Sequence, residues 1–182
     1  PGQSLEVGVS DGTEPALEDI LNKDTEADIT VAQDFGWWLT EENRNNPQIA
    51  ATLQRANDSV LPSERIDANI KGAAWWIDPS DKAHIRWVRT EDNEAQMLSA
   101  LARIAARGEL NLGEGTKFAG VFRTHGVVVP VFDLDPSVEA GAYESALAAL
   151  DKQIQAEYGN DAALSADERK QLDNIKSRQV TI

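Results

Sequence analysis

Side chains able to do chemistry are few in this chain, and they gather around one stretch. Gly113-Glu114-Gly115-Thr116-Lys117 has the glycines, hydroxyl and lysine of a phosphate-binding loop. A Walker-type loop lies between a strand and a helix, so that backbone amides and the helix N-terminus converge on the phosphates. Here a strand pattern follows instead, and Gly113, Gly115 and Gly120 do not fit GxGxxG either, so a simple loop is the stronger reading. His125 falls in a turn with no serine or carboxylate beside it, and His84 opens a strand pattern, so no catalytic triad is indicated.

Asp133-Leu134-Asp135 ends an apolar run, where alternate carboxylates can share a hard cation such as magnesium. With Glu114 they loosely mimic the acidic set of a Toprim-type nuclease or topoisomerase centre. That centre joins its acids through a crossover unit, whereas Glu114 and Asp133 bracket a single hairpin. Asp135 also has a sufficient structural task as the cap before Pro136. The chain has no cysteine, which removes thiolate nucleophiles, thiolate metal sites and disulfides. No cofactor is expected. The five tryptophans, Trp37, Trp38, Trp75, Trp76 and Trp87, are more unusual. On strands, adjacent tryptophans point to opposite faces, so one of each pair enters the core and the other emerges as a contact anchor.

The formal net charge is −14 over 182 residues, and it bears directly on partners. Nucleic-acid binding draws its affinity from Lys and Arg neutralising phosphates, so direct binding by this acidic chain is not expected. Acidity concentrates at the start, where Glu6, Asp11, Glu14, Glu18, Asp19, Asp24, Glu26, Asp28 and Asp34 face only Lys23. Such a face solubilises, or docks a basic partner. No apolar run approaches the roughly 20 residues that span a bilayer and no secretory signal is visible, so a cytoplasmic protein without membrane contact is expected.

The elements that must position these residues read as follows. Ser4–Val9 and Ala27–Phe35 alternate like strands, and Thr13 can cap a helix from near Pro15 with Leu17, Ile20 and Leu21 as its stripe. Asn46-Pro47 opens a helix through about Ala56. Ala73–Ile77 and His84–Arg89 form a hairpin about Asp78-Pro79-Ser80-Asp81. Thr90 caps a helix bearing Met97, Leu98, Leu101, Ile104 and Ala105, which Gly108 stops. The central hairpin turns at Thr124-His125-Gly126, with Arg123 paired to Val127, both faces apolar and buried, and Pro130 at an edge or bulge. Asp135-Pro136 opens a long helix to about Tyr158, and Ser165 with Glu168 has capping-box spacing for a last helix. Val180-Thr181-Ile182 adds a short strand. The fold class is therefore α+β, a mainly antiparallel sheet built from hairpins with helices packed against it.

The stretches Gly-Glu-Gly-Thr-Lys-Phe-Ala-Gly-Val-Phe-Arg (113–123), Val-Val-Pro-Val-Phe-Asp-Leu (128–134) and Ser165–Thr181 resemble an uncharacterised actinobacterial family, a domain of unknown function. Leu53-Gln54-Arg55-Ala56-Asn57 and His84-Ile85-Arg86-Trp87-Val88 match it too. The resemblance covers the C-terminal two thirds of the family's members, which implies a Lys/Arg/Ala-rich segment ahead of Pro1. The expectation is one acidic domain over 1–182, the C-terminal part of a longer chain. Some members carry a topoisomerase label, for which only Tyr143 and Tyr158 could be nucleophiles, and the surrounding basic set is missing.

The leading expectation of function is a non-catalytic domain that binds a protein partner, a basic one, through an acidic, tryptophan-bearing surface; its oligomeric state is not legible. The alternative is a metal-dependent phosphoryl-transfer or nuclease/topoisomerase-like enzyme using Asp133 and Asp135.

Overall fold

The computed structural model describes Ser4 and residues 8–22, 24–26, 28–78 and 82–181. The chain divides into two compact units, Pro1–Asp58 and Ser59–Ile182. Among the described residues no helix is long and apolar enough to cross a membrane.

The first unit holds the short helix α1 (Leu17–Ile20), a 3-10 turn (Phe35–Trp38), α2 (Glu41–Arg44) and α3 (Pro47–Asn57). Asn46 caps α3 by accepting from the Gln48 amide at 3.0 Å, with Pro47 in the first turn, as its sequence predicts. Two expectations fail here. The helix from Pro15 shrinks to four residues, leaving Ile20 and Leu21 exposed. The strand over Ala27–Phe35 is absent: residues 28–34 are irregular and Ile29 is 80% exposed. Alternation does not hold a strand that has no neighbour to take its backbone hydrogen bonds. Ala27, residues 5–7 of the first expected strand, and Pro79, Ser80 and Asp81 of the expected turn lie outside the described residues.

The second unit is a six-stranded sheet in the order β1-β2-β3-β5-β4-β6. Its strands are β1 (Ser63–Ile66), β2 (Ala73–Ile77), β3 (His84–Val88), β4 (Lys117–Thr124), β5 (Val127–Asp133) and β6 (Val180–Thr181). All neighbours are antiparallel except β6, which runs parallel to β4. Helices α4 (Glu94–Ala106), α5 (Glu144–Glu157) and α6 (Ala166–Ser177) complete it, with a 3-10 turn over Ala140–Tyr143. The core joins one sheet face, with Ile66, Ala74, Ile85, Trp87, Val121, Val128 and Phe132, to Met97, Leu98, Leu101, Leu147, Leu150, Ile154 and Ile175 of the helices.

The α+β fold, the β2–β3 hairpin, the stop at Gly108 and the Ser165–Glu168 capping box are as expected. Differences cluster where distant packing overrides local signals. The cap of α4 is Asn93, which accepts from the Gln96 amide at 3.1 Å, and not Thr90. Glu91 is drawn inward to Arg89, which keeps residues 90–93 out of the helix. The helix expected from Asp135 begins only at Glu144, because Asp135 folds a tight turn onto Ser137 and the 3-10 turn then buries Ala140 and Tyr143.

The central hairpin has a two-residue turn, not three. His125 (φ 49°) and Gly126 (φ 80°) both adopt the left-handed region, and Thr124 pairs with Val127. This shifts the expected register by one, and a bulge between Phe118 and Gly120 re-phases the strand so that Phe118 meets Phe132 edge-on at 5.6 Å. Only one face of the hairpin therefore joins the core, and Phe122 and Val131 on the other are half-buried. Pro130 sits on an interior strand. Alternation from the turn makes Val121–Pro130 a non-hydrogen-bonded pair, so the missing amide faces β3, where the ladder ends at Val131.

At the centre lies Arg89, fully buried. Its guanidinium donates to both Glu91 oxygens (3.1 and 2.5 Å) and to Asp151 of α5 (2.6 Å), and stands 4.4 Å from the Trp87 ring centroid. Asp151 also accepts from the Lys71 amide at 3.3 Å, and the Trp87 indole donates to the Lys71 carbonyl at 2.9 Å. Next to Lys71, Gly72 (φ 83°) is obligatory, since a Cβ there would meet the Val88 carbonyl oxygen at 2.0 Å.

Asp151→Ala is expected to cost about 1–3 kcal/mol, because it leaves a buried Arg89 donor without an acceptor while Glu91 keeps the others. Replacing Arg89, Glu91 and Asp151 together with methionine and leucines should cost far less, and equilibrium urea unfolding measures both. Gly126→Val should lose about 1–3 kcal/mol by forcing a β-branched residue into positive φ; an unchanged melting temperature would count against the turn.

Candidate functional site

Part of the glycine loop's backbone is already engaged within the loop. The Gly113 amide is bound to Asn111 Oδ1 at 3.0 Å, and Thr116 Oγ1 closes the loop by accepting from the Leu112 amide at 2.8 Å and donating to the Gly113 carbonyl at 2.7 Å. Glu114 is exposed at its tip. Asp133 is half-buried on β5, opposite Lys117 and His84. Asp135 is exposed and accepts from the Ser137 amide (2.9 Å) and hydroxyl (2.6 Å), bonds that hold its carboxyl below the usual range. Among the described residues no three His, Asp or Glu side chains gather into a group that could hold a metal ion.

Both tyrosine hydroxyls have their pKa raised. Burial, and then the Asp135 charge, push the Tyr143 hydroxyl up. Tyr158 is also raised, first by desolvation and then by donating to Asp92 at 2.9 Å; its oxygen receives the Asn93 amide and so fixes the start of α4. His125 is exposed in its turn, 2.8 Å from the Thr124 hydroxyl.

The tryptophans separate into three environments. Trp87 is wholly core. Trp37 and Trp38 lie on the 3-10 turn of the first unit, where the two-faced logic of a strand does not operate: both emerge, 59% and 69% exposed, with ring centroids 4.6 Å apart. Beside them Phe35, Leu39, Ile49, Leu53 and Ala56 line an apolar hollow of about 280 Å³. Trp75 and Trp76 do follow strand alternation, with Trp76 on the helix side and Trp75 on the opposite face, both half-buried.

Trp76 defines the most distinctive surface feature. Across the sheet it is one of a row Glu64–Trp76–Ile85–Phe132–Phe118, and at the β1 end of that row the ring lines a cleft of about 440 Å³. Glu64 forms one wall and the Pro136–Gly141 segment, with Glu139, the other. Its indole nitrogen is buried and has no hydrogen-bond acceptor, a state that costs about 1–3 kcal/mol when left unmet. Glu139 lies in a stretch, Asp133 to Asp151, without Lys or Arg.

His84 lies on the opposite face. Arg86 Nε donates to its Nε2 at 3.1 Å, which requires the neutral ring with its proton on Nδ1, near the Lys82 carbonyl at 3.4 Å. Burial lowers its pKa and the Arg86 charge adds to this, against the Lys82 carbonyl and Asp133. Since the folded chain resists protonation, this stabilisation is present above the ordinary histidine range and lost as pH falls through it and on to the lower folded value. The melting temperature of the wild type should therefore drop more than that of His84→Gln between about pH 7 and pH 5.

A family model, described as a family of unknown function (DUF5926), matches residues 1–182. No curated protein and no solved structure matches the chain.

Proposed function

Since the chain belongs to the DUF5926 family of unknown function, whose description supplies no chemistry, we propose from the residues themselves that it is a non-catalytic protein-binding domain. Its acidic, tryptophan-bearing cleft at Trp76 takes a basic segment of a partner. The observation that carries this is the pair of carboxylates, Glu64 and Glu139, that line the cleft together with the half-buried Trp76. A Lys or Arg side chain of the peptide lies between the carboxylates and along the ring. The net charge of −14 steers such a cation inward.

A fluorescein-labelled peptide alternating lysine and leucine should bind the wild-type chain, and its glutamate counterpart should not bind this cleft. Glu139→Gln and Glu64→Gln should each weaken binding several-fold, about 1 kcal/mol for a partly exposed pair. Trp76→Phe leaves a smaller aromatic ring in place of the indole, so it should weaken the peptide by reducing the surface on which the cation lies. Binding that ignores all three changes would overturn the assignment.

A further inference from the structure

The face of the sheet turned away from α4–α6 carries a different chemistry. Antiparallel register aligns Arg65, Trp75, Arg86, Val131 and Gly120 in one row across five strands, a span of about 20 Å. Phe122 stands beside the row, with the Arg86 guanidinium 5.6 Å from its ring centroid. At the β4 end the row runs into an apolar groove of about 300 Å³, lined by Gly120, Phe122, Val131, Val180 and Arg178, with no carboxylate in its wall. Trp75, Arg86, Phe122 and Val131 are half-buried, and Arg65 and Arg178 are exposed.

None of these three arginines makes an ion pair among the described residues, although acidic side chains outnumber basic ones in the chain, 31 to 17. Elsewhere in this unit Arg89, Arg103, Arg107 and Arg123 sit against carboxylates, and Arg169 donates to the Leu164 carbonyl. Asp133 stands on the same face in the neighbouring row, between His84 and Lys117. Positive charge has thus been kept, unpaired, on an aromatic floor.

We propose that this face is a second binding site, for an acidic peptide segment whose carboxylates engage Arg65, Arg86 and Arg178 and whose apolar side chains cover Trp75 and fill the groove at Phe122. The planar guanidinium forks match carboxylates two bonds at a time. A short segment brings only a few charges, and a Debye length of about 8 Å at physiological salt hides it from most of the acidic surface. A nucleic-acid strand carries a phosphate at every residue, so more of its charges come within that distance of the acidic surface, which is why the peptide is the occupant.

The test uses the whole chain and three fluorescein-labelled probes: a short peptide alternating glutamate and leucine, its glutamine counterpart, and single-stranded oligothymidine. The glutamate peptide should bind, and Arg65→Gln should weaken it about tenfold, equivalent to about 1.4 kcal/mol. Arg65 is exposed, so this variant should fold, and far-ultraviolet circular dichroism verifies it. Arg178→Gln should act likewise, and Trp75→Phe should abolish the change in intrinsic fluorescence that accompanies binding. Equal affinity for the glutamine peptide, or indifference to Arg65→Gln, overturns the proposal. Tighter binding of oligothymidine that the same variants weaken also overturns it, and would assign the face to nucleic acid. Failure of the basic-peptide cleft at Trp76 leaves these outcomes unaffected, because the two sites share no residue.

Discussion

Burial of the Arg89 charge is the constraint on which the second unit depends. A guanidinium taken wholly out of water is tolerable only if its donors are met, and here Glu91, Asp151 and the Trp87 ring enclose it. Those partners belong to the end of β3, the approach to α4, and α5, while the Lys71 backbone is bound to Asp151 and Trp87. Sheet, helices and the β1–β2 connection are consequently fixed by one polar knot. Hydrophobic burial would be satisfied by several sliding arrangements of α5 on the sheet. The ion triad selects one, since a displaced Asp151 would leave a buried Arg89 donor without its acceptor, with Glu91 alone still paired to the guanidinium.

What could be read from the sequence was local. Asn46-Pro47, Ser165 with Glu168, Gly108, and the alternation of Ala73–Ile77 against His84–Arg89 act within a few residues, and the structure follows them. Arg89 and Asp151 lie 62 residues apart, and nothing in their neighbourhoods links them. The same knot explains one misplacement, since Glu91 turned inward moves the α4 cap from Thr90 to Asn93. Another has its own cause: the Asp135–Ser137 turn and the docking of Tyr143 postpone α5 to Glu144. Strand alternation does not govern Trp37 and Trp38, which lie on a 3-10 turn. The Trp76 cleft was legible only in part: its tryptophan stood out, but Glu64 and Glu139 come to it from distant segments.

The charge of the molecule is a case in which an average conceals a pattern. Because strand residues alternate, β1 sends Glu64 to one side of the sheet and Arg65 to the other, and β2 does the same with Trp76 and Trp75. Adjacent letters thereby build surfaces of opposite sign, each with an indole. The sheet acts as a divider that keeps the two sets of charges from neutralising each other.

The bulge between Phe118 and Gly120 also bears on which lengths of chain this family can adopt. Strands have parity: each added or lost residue exchanges the two faces for everything beyond it. The extra residue at Ala119 reverses parity once, so that Val121 and Phe118 both reach the core although they are three apart. Loss of Ala119 alone would carry Lys117 toward the interior and Phe118 out of it. Insertions and deletions in this hairpin are therefore admissible only in combinations that restore parity, and its length should drift far less over evolutionary time than the identity of its outward-facing side chains.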